Sequence, residues 1–224
     1  MKTIMIAFDW DGTLMDSTGQ IVRCLQHAAL QCGFKAPEAQ AIRHIIGLSL
    51  PNAIRQLFPD ANEPEQALLL QAYAAQFRAE PADAVDLFPG VREMIDRIAP
   101  FVRLVIATGK SRVGLDRVLQ HMGWQNRFAD SRCADETRSK PDPSMLLELL
   151  RACPEPPAQC FMIGDTTYDL DMARAAGMQA WAVSWGAHPL DLLKAREPDR
   201  IFNSVSELDT ALSGICRGVT HSGA

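Results

Sequence analysis

The chain has 224 residues, 47% of them hydrophobic, which favours a folded protein with a sizeable core over a disordered one. It carries 22 Lys and Arg against 27 Asp and Glu, a formal net charge of −5 without a dense basic block, so neither nucleic acid nor a membrane is indicated as a partner. The first apolar run is too short for a signal peptide, and no stretch reaches the length of a membrane span. These features predict a cytoplasmic protein that acts on small molecules.

The first predicted strand, residues 4–8, ends in two carboxylates. It is a continuous apolar run flanked by turn residues, which is typical of a central parallel strand. On an extended backbone the side chains of Asp9 and Asp11 lie on the same side, where a hard cation such as Mg²⁺ would relieve their repulsion. Gly12 allows a sharp turn and lets its amide approach an anion. Ordinary turn aspartates at a strand end are the alternative.

Residues 16–86 carry helical patterns and no strand pattern. Because such a long helical stretch exceeds an ordinary crossover between strands, we expect an inserted all-helical domain. Its two ends, 15–18 and 87–91, would form a two-stranded hinge that allows this domain to move. The predicted helices cover 20–32 and begin near Pro37, Pro51 and Pro64.

From Val91 onward, strands and helices alternate. Repeated β–α units predict an α/β fold with a doubly wound, Rossmann-like parallel sheet. We therefore assign 1–15 plus 88–224 to a catalytic core and 16–87 to the helical domain. The tail from Arg217 is expected to be frayed. The predicted strands are 101–107, 160–163 and 180–183, with a short strand that includes Phe128 and another near Ile201, and the predicted helices are 111–122, 143–152 and 169–176.

Polar residues follow two of these strands. Thr108 and Gly109 bring a hydroxyl and free helix-end amides together, which suits a phosphate oxygen, whereas plain helix capping accounts only for Ser111. Asp165 stands where a ligand would complete the site of the first two aspartates. Asp169 could cap its helix, bind a metal-bound water or orient a lysine.

That lysine is Lys140, which lies between Ser139 and Pro141 with a second proline at position 143. The prolines restrict the backbone on both sides, so the cation would be rigidly presented. It could neutralise a phosphate and keep a nucleophilic carboxylate ionised. An exposed loop lysine is the alternative.

Four motifs, at 9–13, 108–109, 140–141 and 164–169, occur in an order that resembles the haloacid dehalogenase superfamily of phosphotransferases. The resemblance covers nearly the whole chain, including a helical cap inserted after the first strand. Residues 165–177 and 183–188 look most like phosphoglycolate phosphatases. The resemblance implies a phosphatase for a small phosphorylated metabolite of the phosphoglycolate kind, present as a monomer or homodimer.

The resemblance also implies roles for the motif residues. Asp9 would attack phosphorus and become an aspartyl phosphate, while Asp11 would protonate the leaving oxygen and then activate water. Mg²⁺ would be held by the carboxylates of Asp9 and Asp165 and by the backbone carbonyl of Asp11. Asp169 would hold the residues of this site in place without binding the metal or the phosphate itself. The residues expected to cradle the phosphate are Gly12, Thr108, Gly109 and Lys140.

Rival members of the superfamily differ at particular positions. Asp11 argues against a haloacid dehalogenase, and Lys35, the only lysine of the predicted cap, makes a phosphonate hydrolase unlikely. A β-phosphoglucomutase-like isomerase shares the core motifs but typically has an arginine after a Gly-x-Ser turn, where this chain has Leu50. The mutase therefore stays the alternative, and a catalytically silent binding module is disfavoured.

Substrate contacts from the cap are expected near Gly47, because a closing loop usually contributes specificity groups. The candidates Arg43, His44 and Ser49 flank this turn, and the first two are equally compatible with a helix surface. His188, in a Gly-Ala-His turn, is a further candidate for the edge of the site.

Overall fold

A computed structural model describes residues 4–81 and 86–221. Its centre is a six-stranded sheet in which every strand pair is parallel. The strands are β1 (Met5–Phe8), β2 (Arg103–Thr108), β3 (Asp130–Cys133), β4 (Phe161–Gly164), β5 (Gln179–Val183) and β6 (Arg200–Phe202). Their spatial order is β3-β2-β1-β4-β5-β6, so the chain changes direction across the sheet at β1. Ligands of open α/β sheets bind at such a switch point.

Helices cover both faces of this sheet, and further helices lie between β1 and β2. They are α1 (Thr18–Gln31), α2 (Ala39–Ile45), α3 (Leu50–Leu57), α4 (Glu63–Ala79), α5 (Val91–Ile98), α6 (Arg112–His121), α7 (Ser144–Leu150), α8 (Thr167–Ala175), α9 (Leu190–Lys194) and α10 (Val205–His221). Among the residues described, no helix combines the length and apolar character that crossing a membrane requires.

Side chains of β1 alternate between two apolar clusters, one on each face of the sheet. Ile6 and Phe8 belong to one cluster, and Met5 and Ala7 belong to the other. All four are fully buried. A strand that is buried on both faces reads as a continuous apolar run, and the doubly wound fold expected from the sequence is confirmed.

The segment α1–α4 has an apolar cluster of its own, built around Leu25, Ile42, Ile54 and Leu69. Its longest helix, α4, begins with a capping box between Asn62 and Glu65 and carries Pro64 in its first turn, as expected.

The connections to this segment form the short two-stranded contact that the sequence predicts. Met15 makes an antiparallel bridge with Leu87. The Asp16 N–H donates to the Asp86 carbonyl at 3.0 Å, and the Phe88 N–H donates to the Leu14 carbonyl at 3.0 Å. Movement of the segment as a cap stays a prediction, and residues 82–85 of the predicted domain lie outside the described residues.

Two expectations are wrong. Phe128 is not in a strand; it packs edge-on against Trp10 at 6.2 Å, and the edge strand begins at Asp130. That strand reads Asp-Ser-Arg-Cys, which has no apolar run to reveal it. The tail does not fray at Arg217, because α10 continues to His221. Residues 222–224 lie outside the described residues. The cysteines are free thiols, as predicted.

Candidate active site

The carboxyl ends of the three central strands meet at one place. Asp9 follows β1, Thr108 ends β2 and Asp165 follows β4, so each residue reaches the same edge of the sheet. The Asp9 N–H donates to the carbonyl of Ile163 at 2.9 Å, which fixes the backbone of the first motif to β4. All three polar side chains are buried. Burial of so many polar groups requires partners for them.

Lys140 provides the cation for this buried cluster. Its Nζ lies 2.8 Å from Asp9 Oδ1 and 2.6 Å from Asp169 Oδ1, and its side chain has no exposed surface. The alternative of a solvent-exposed lysine is therefore excluded. Burial opposes the charge on Lys140, but Asp169 and Asp9 together hold its pKa above the ordinary value.

Asp165 is held in place by two hydrogen bonds. Its Oδ1 accepts from the Thr13 hydroxyl at 2.7 Å, and its Oδ2 accepts from the Ala187 N–H at 2.7 Å. Burial, followed by the nearby charge of Asp169, raises the pKa of Asp165 to about 7. A Cβ at Gly12, where φ is +83°, would collide with the Asp165 carboxylate. Position 12 therefore requires a glycine, because the first motif packs directly against the Asp165 carboxylate of the fourth.

Asp169 has two structural roles at the start of α8. Its Oδ2 accepts from the Thr166 N–H at 3.1 Å and from the Thr166 hydroxyl at 2.7 Å, completing a capping box. Its Oδ1 accepts from Lys140. One carboxylate therefore both caps the helix and orients the buried lysine.

A divalent cation fits this donor set. One carboxylate oxygen from each of Asp9, Asp165 and Asp169 lies within 4.8 Å of the other two. Asp9 Oδ2 is buried and accepts no hydrogen bond from any described residue. Burial raises the pKa of Asp9 well above its ordinary value, although Lys140 acts against this shift. A hard cation with oxygen ligands would supply the missing positive charge.

Asp11 points into different surroundings. Its Oδ1 accepts from the Ser17 hydroxyl at 2.5 Å, and Lys110 Nζ lies 2.8 Å from Oδ1 and 3.0 Å from Oδ2. The Lys110 ammonium also lies 4.8 Å from the centre of the Phe77 ring, a cation–π contact with α4. The carboxylates of Asp9 and Asp11 thus have separate cations, Lys140 and Lys110.

Thr108 and Gly109 lie beside this pair, as the second motif predicts. Thr108 Oγ1 accepts from the Lys110 N–H at 3.1 Å. A Cβ on Gly109 would lie 2.7 Å from the carbonyl oxygen of Gly47 and 2.8 Å from that of Leu48. The loop between α2 and α3 therefore lies directly against the phosphate-binding candidates of the core.

This loop is fixed to the core by further hydrogen bonds. The Ser49 N–H donates to Ser139 Oγ at 2.7 Å, and the Tyr168 hydroxyl donates to the His44 carbonyl at 2.9 Å. His188 Nε2 lies 3.1 Å from the same carbonyl, and the two imidazole rings stack with centres 5.1 Å apart. His188, a candidate edge residue, is thus a contact between the helical segment and the core.

A cavity of about 450 Å³ extends from Asp9 and Asp11 into the space between the helical segment and the core. Arg43, His44 and Ser49 do not line it. The side chains of Arg43 and His44 are exposed, whereas Ser49 is buried and holds the loop through its backbone. Their predicted contact with substrate stays a prediction.

Sequence reasoning missed three side chains that bond to the predicted catalytic or metal-binding carboxylates. They are Thr13, Ser17 and Lys110. Lys110 directly follows the second motif, so a cation at that strand end was visible in the sequence. Its partner Asp11 is 99 positions away, and only the sheet order brings the two together.

The chain belongs to the haloacid dehalogenase-like hydrolase family, because residues 6–183 match that family's model. It is 35% identical over 213 residues to the probable phosphatase IndB of Dickeya dadantii, covering 93% of this chain and 92% of that protein. It is 25% identical over 211 residues to a phosphoglycolate phosphatase of Agrobacterium fabrum, covering 92% and 90%. These relatives place it among the phosphatases of the family.

Two further similarities concern a longer protein and a solved structure. The chain is 31% identical over 194 residues to the tyrosine-protein kinase PtkA of Mycobacterium tuberculosis, covering 84% of this chain but 65% of that protein. The crystal structure of a haloacid dehalogenase-like hydrolase from Bacteroides fragilis superposes with a TM-score of 0.84 at 25% identity, covering 92% of this chain and 100% of that one.

Proposed function

We propose that the protein is a Mg²⁺-dependent phosphatase that hydrolyses a small organic phosphate monoester through an aspartyl phosphate on Asp9. The observation that carries the proposal is the contrast between Asp9 and Asp11. Asp9 Oδ2 is buried without a hydrogen-bond donor among the described residues, beside Lys140, whereas both oxygens of Asp11 are engaged by Lys110 and Ser17. One carboxylate suits nucleophilic attack and the other suits proton transfer.

The reaction would have two displacements at phosphorus. In the first, an Asp9 oxygen forms a bond to phosphorus while the bond to the ester oxygen breaks, and that oxygen takes a proton from Asp11. In the second, Asp11 accepts a proton from water while the water oxygen attacks phosphorus, and the bond to Asp9 breaks. The products are the alcohol and inorganic phosphate, and both side chains return to their starting states.

The carboxylates of Asp9 and Asp165, with the backbone carbonyl of Asp11, would hold Mg²⁺. The ion would offset the negative charge that gathers on the transferring group. Lys140 would neutralise the phosphate from the other side and stay oriented by Asp169. The Thr108 hydroxyl and the amides of Gly12 and Gly109 would bind phosphate oxygens.

We further propose that residues 16–87 act as a cap on a core made of 1–15 and 88–224. The loop that carries Gly47 lies against Gly109, which supports a closed arrangement over the reacting groups. Substrate would enter when this contact opens. Arg43, His44 and Ser49 would then act on substrate only through rearrangement of the loop.

Phosphate release in the presence of Mg²⁺, measured over a panel of monoesters, tests this function. Phosphoglycolate belongs in the panel because several relatives are named as phosphatases for it. Isomerisation of β-glucose 1-phosphate and transfer from ATP to a tyrosine peptide should be measured beside it. Phosphate release abolished by a chelator supports the proposal, and isomerisation or tyrosine phosphorylation without phosphate release would overturn it.

A further inference from the structure

The walls of the cavity next to Asp9 indicate what the organic part of the substrate is. At about 450 Å³, the cavity is within the range of small-molecule sites, roughly 300–1,000 Å³. Asp9, Asp11, Gly109 and Lys110 form its polar end. The phosphate would occupy that end, so whatever is esterified to the phosphate must extend toward the helical segment.

The wall of the cavity that the helical segment forms is mainly apolar. Its apolar side chains come from α1, from α4 and from the residues around the loop between α2 and α3, and most of them belong to the apolar cluster of the segment. They include Ile21, Leu25, Ile45, Ile46, Leu50 and Phe77. An apolar group that moves from water into such a space gains free energy in proportion to the area it buries.

The described cations along the cavity offer little to a short anionic group. Lys110 is paired with Asp11, and Arg117 donates to the backbone carbonyls of Phe77 at 3.4 Å and Glu80 at 2.9 Å. Arg78 also lines the cavity, but it is exposed in the last turn of α4. A carboxylate that entered the apolar part of the cavity would be buried without a counter-charge, and burial of an unpaired charge is costly.

Two neutral polar groups interrupt the apolar wall. The side chain of Gln20 is only 4% exposed and lines the cavity. Its amide can both donate and accept a hydrogen bond, so a ligand group in the cavity that bonds to it would be favoured. Tyr73 lines the same space, and burial raises the pKa of its hydroxyl, which therefore remains a neutral donor.

We propose that the natural substrate is a phosphate monoester whose organic part is mainly apolar, larger than two carbons, and carries a neutral hydrogen-bonding group for Gln20. This inference rests on the proposed function and narrows its substrate class. It sets the chain apart from an enzyme whose best substrate is phosphoglycolate. It also assigns specificity to α1 and α4 and not to Arg43 and His44.

A series of straight-chain alkyl phosphates, from ethyl to hexyl, tests the inference with the unmodified protein and Mg²⁺. The leaving alcohols have nearly equal basicity, so the chemistry stays constant while the buried apolar area grows. We expect kcat/KM to rise with chain length, by up to about fourfold per methylene. A flat or falling series, or phosphoglycolate turned over more efficiently than hexyl phosphate, would overturn the inference.

A matched pair of variants locates the effect in the cavity. Ala74 and Ala75 are neighbours on α4, but Ala74 lines the cavity while Ala75 is exposed and does not. Ala74→Leu should lower the ratio of kcat/KM for hexyl over ethyl phosphate by roughly tenfold, the effect expected from losing one to two buried methylenes. Ala75→Leu should leave that ratio unchanged. Equal ratios in the two variants would contradict the assignment of this cavity.

The two proposals fail in different ways. If none of the esters releases phosphate, the proposed function is wrong. If phosphate is released at rates that do not depend on chain length, the function stands and only the substrate class is wrong. Should Ala74→Leu fail to fold, as judged by circular dichroism, the alkyl series in the unmodified protein still decides the question.

Discussion

Lys110 Nζ lies 2.8 Å from Oδ1 and 3.0 Å from Oδ2 of Asp11. The contact joins the end of β2 to the turn after β1, and both side chains are largely buried. The hydroxyl of Ser17, the residue that precedes α1, also donates to Asp11. The Asp11 carboxylate is therefore oriented both by Lys110 of the core and by the start of the helical segment. Lys110 is therefore a positioning residue for the proposed acid and base.

Lys110→Met should lower kcat by roughly 10- to 100-fold, because a hydrogen bond to a charged group is worth about 1.5–3 kcal/mol. Steady-state rates with Mg²⁺ measure this effect on kcat. Lys194→Met, at an exposed position that ends α9, is the control. A wild-type rate in Lys110→Met would contradict the role.

Lys140→Met should destabilise the protein by about 3–5 kcal/mol, because Asp9 and Asp169 would remain buried without their cation. Urea unfolding without added metal gives the change in the free energy of unfolding. Lys35→Met removes an exposed lysine and should have almost no effect. Equal stability of the two variants would show that Lys140 does not compensate the buried carboxylates.

The pKa of Asp165 predicts how stability depends on pH. Burial, then Asp169, raises it from 3.8 to about 7. Between these values the folded state binds more protons than the unfolded state, so this group makes the metal-free protein less stable as pH rises. Asp165→Asn removes that contribution and should lose less stability than wild type between pH 5 and pH 8.

Mg²⁺ should offset the loss of stability that the Asp165 carboxylate causes at high pH. At pH 8 the ion should raise the Tm of wild type, because it binds the folded state, and should raise the Tm of Asp165→Asn much less. Thermal unfolding at the two pH values, with Mg²⁺ or with chelator, measures both effects. Identical pH slopes for the two proteins, or an equal Mg²⁺ effect, would be incompatible with Asp165 as a buried metal ligand.

Gly109→Ala should displace the loop that carries Gly47, because the added Cβ would lie 2.7 Å from the Gly47 carbonyl oxygen. The overpacking should cost about 1–3 kcal/mol. Amide hydrogen exchange at Ser49, whose N–H donates to Ser139, should become faster. Gly214→Ala, in α10 with no atom near the new Cβ, should instead stabilise by about 0.5–1 kcal/mol. Unchanged exchange at Ser49 would contradict the packing argument.

The central sheet was predictable from the sequence because its strands are buried on both faces. Runs such as that of β1 are continuous, short and followed by turn residues, and each carries a polar group just beyond its end. The edge strand β3 escaped detection because half-exposed polar residues form it, while Phe128 belongs to the core without being in a strand. Helix α10 was not among the predicted helices, and the tail was expected to fray from Arg217, whereas the helix continues to His221.

The motif residues could be named from the sequence, but the pairing of Asp169 with Lys140 was only one of three roles left open for that carboxylate. Lys140 was a candidate cation, yet only the fold shows that it contacts Asp9 and Asp169 together. The pairing of Lys110 with Asp11 depends on the order of strands, which spacing along the chain does not encode. The lining of the cavity depends on how α1 and α4 pack against the core. In the sequence its apolar residues show only the periodicity of an ordinary helix, so the apolar wall could not be predicted.

The most direct test of the account is whether a phosphoryl group becomes attached to Asp9. Asp11→Asn should be mixed with Mg²⁺ and an aryl phosphate, whose leaving group needs no acid, then quenched and examined by peptide mass spectrometry. We predict one phosphoryl group on the peptide that contains Asp9, and none when Asp9→Asn is added to the same variant. A phosphoryl group on another residue, or turnover at the wild-type rate with none on Asp9, would contradict the proposed nucleophile.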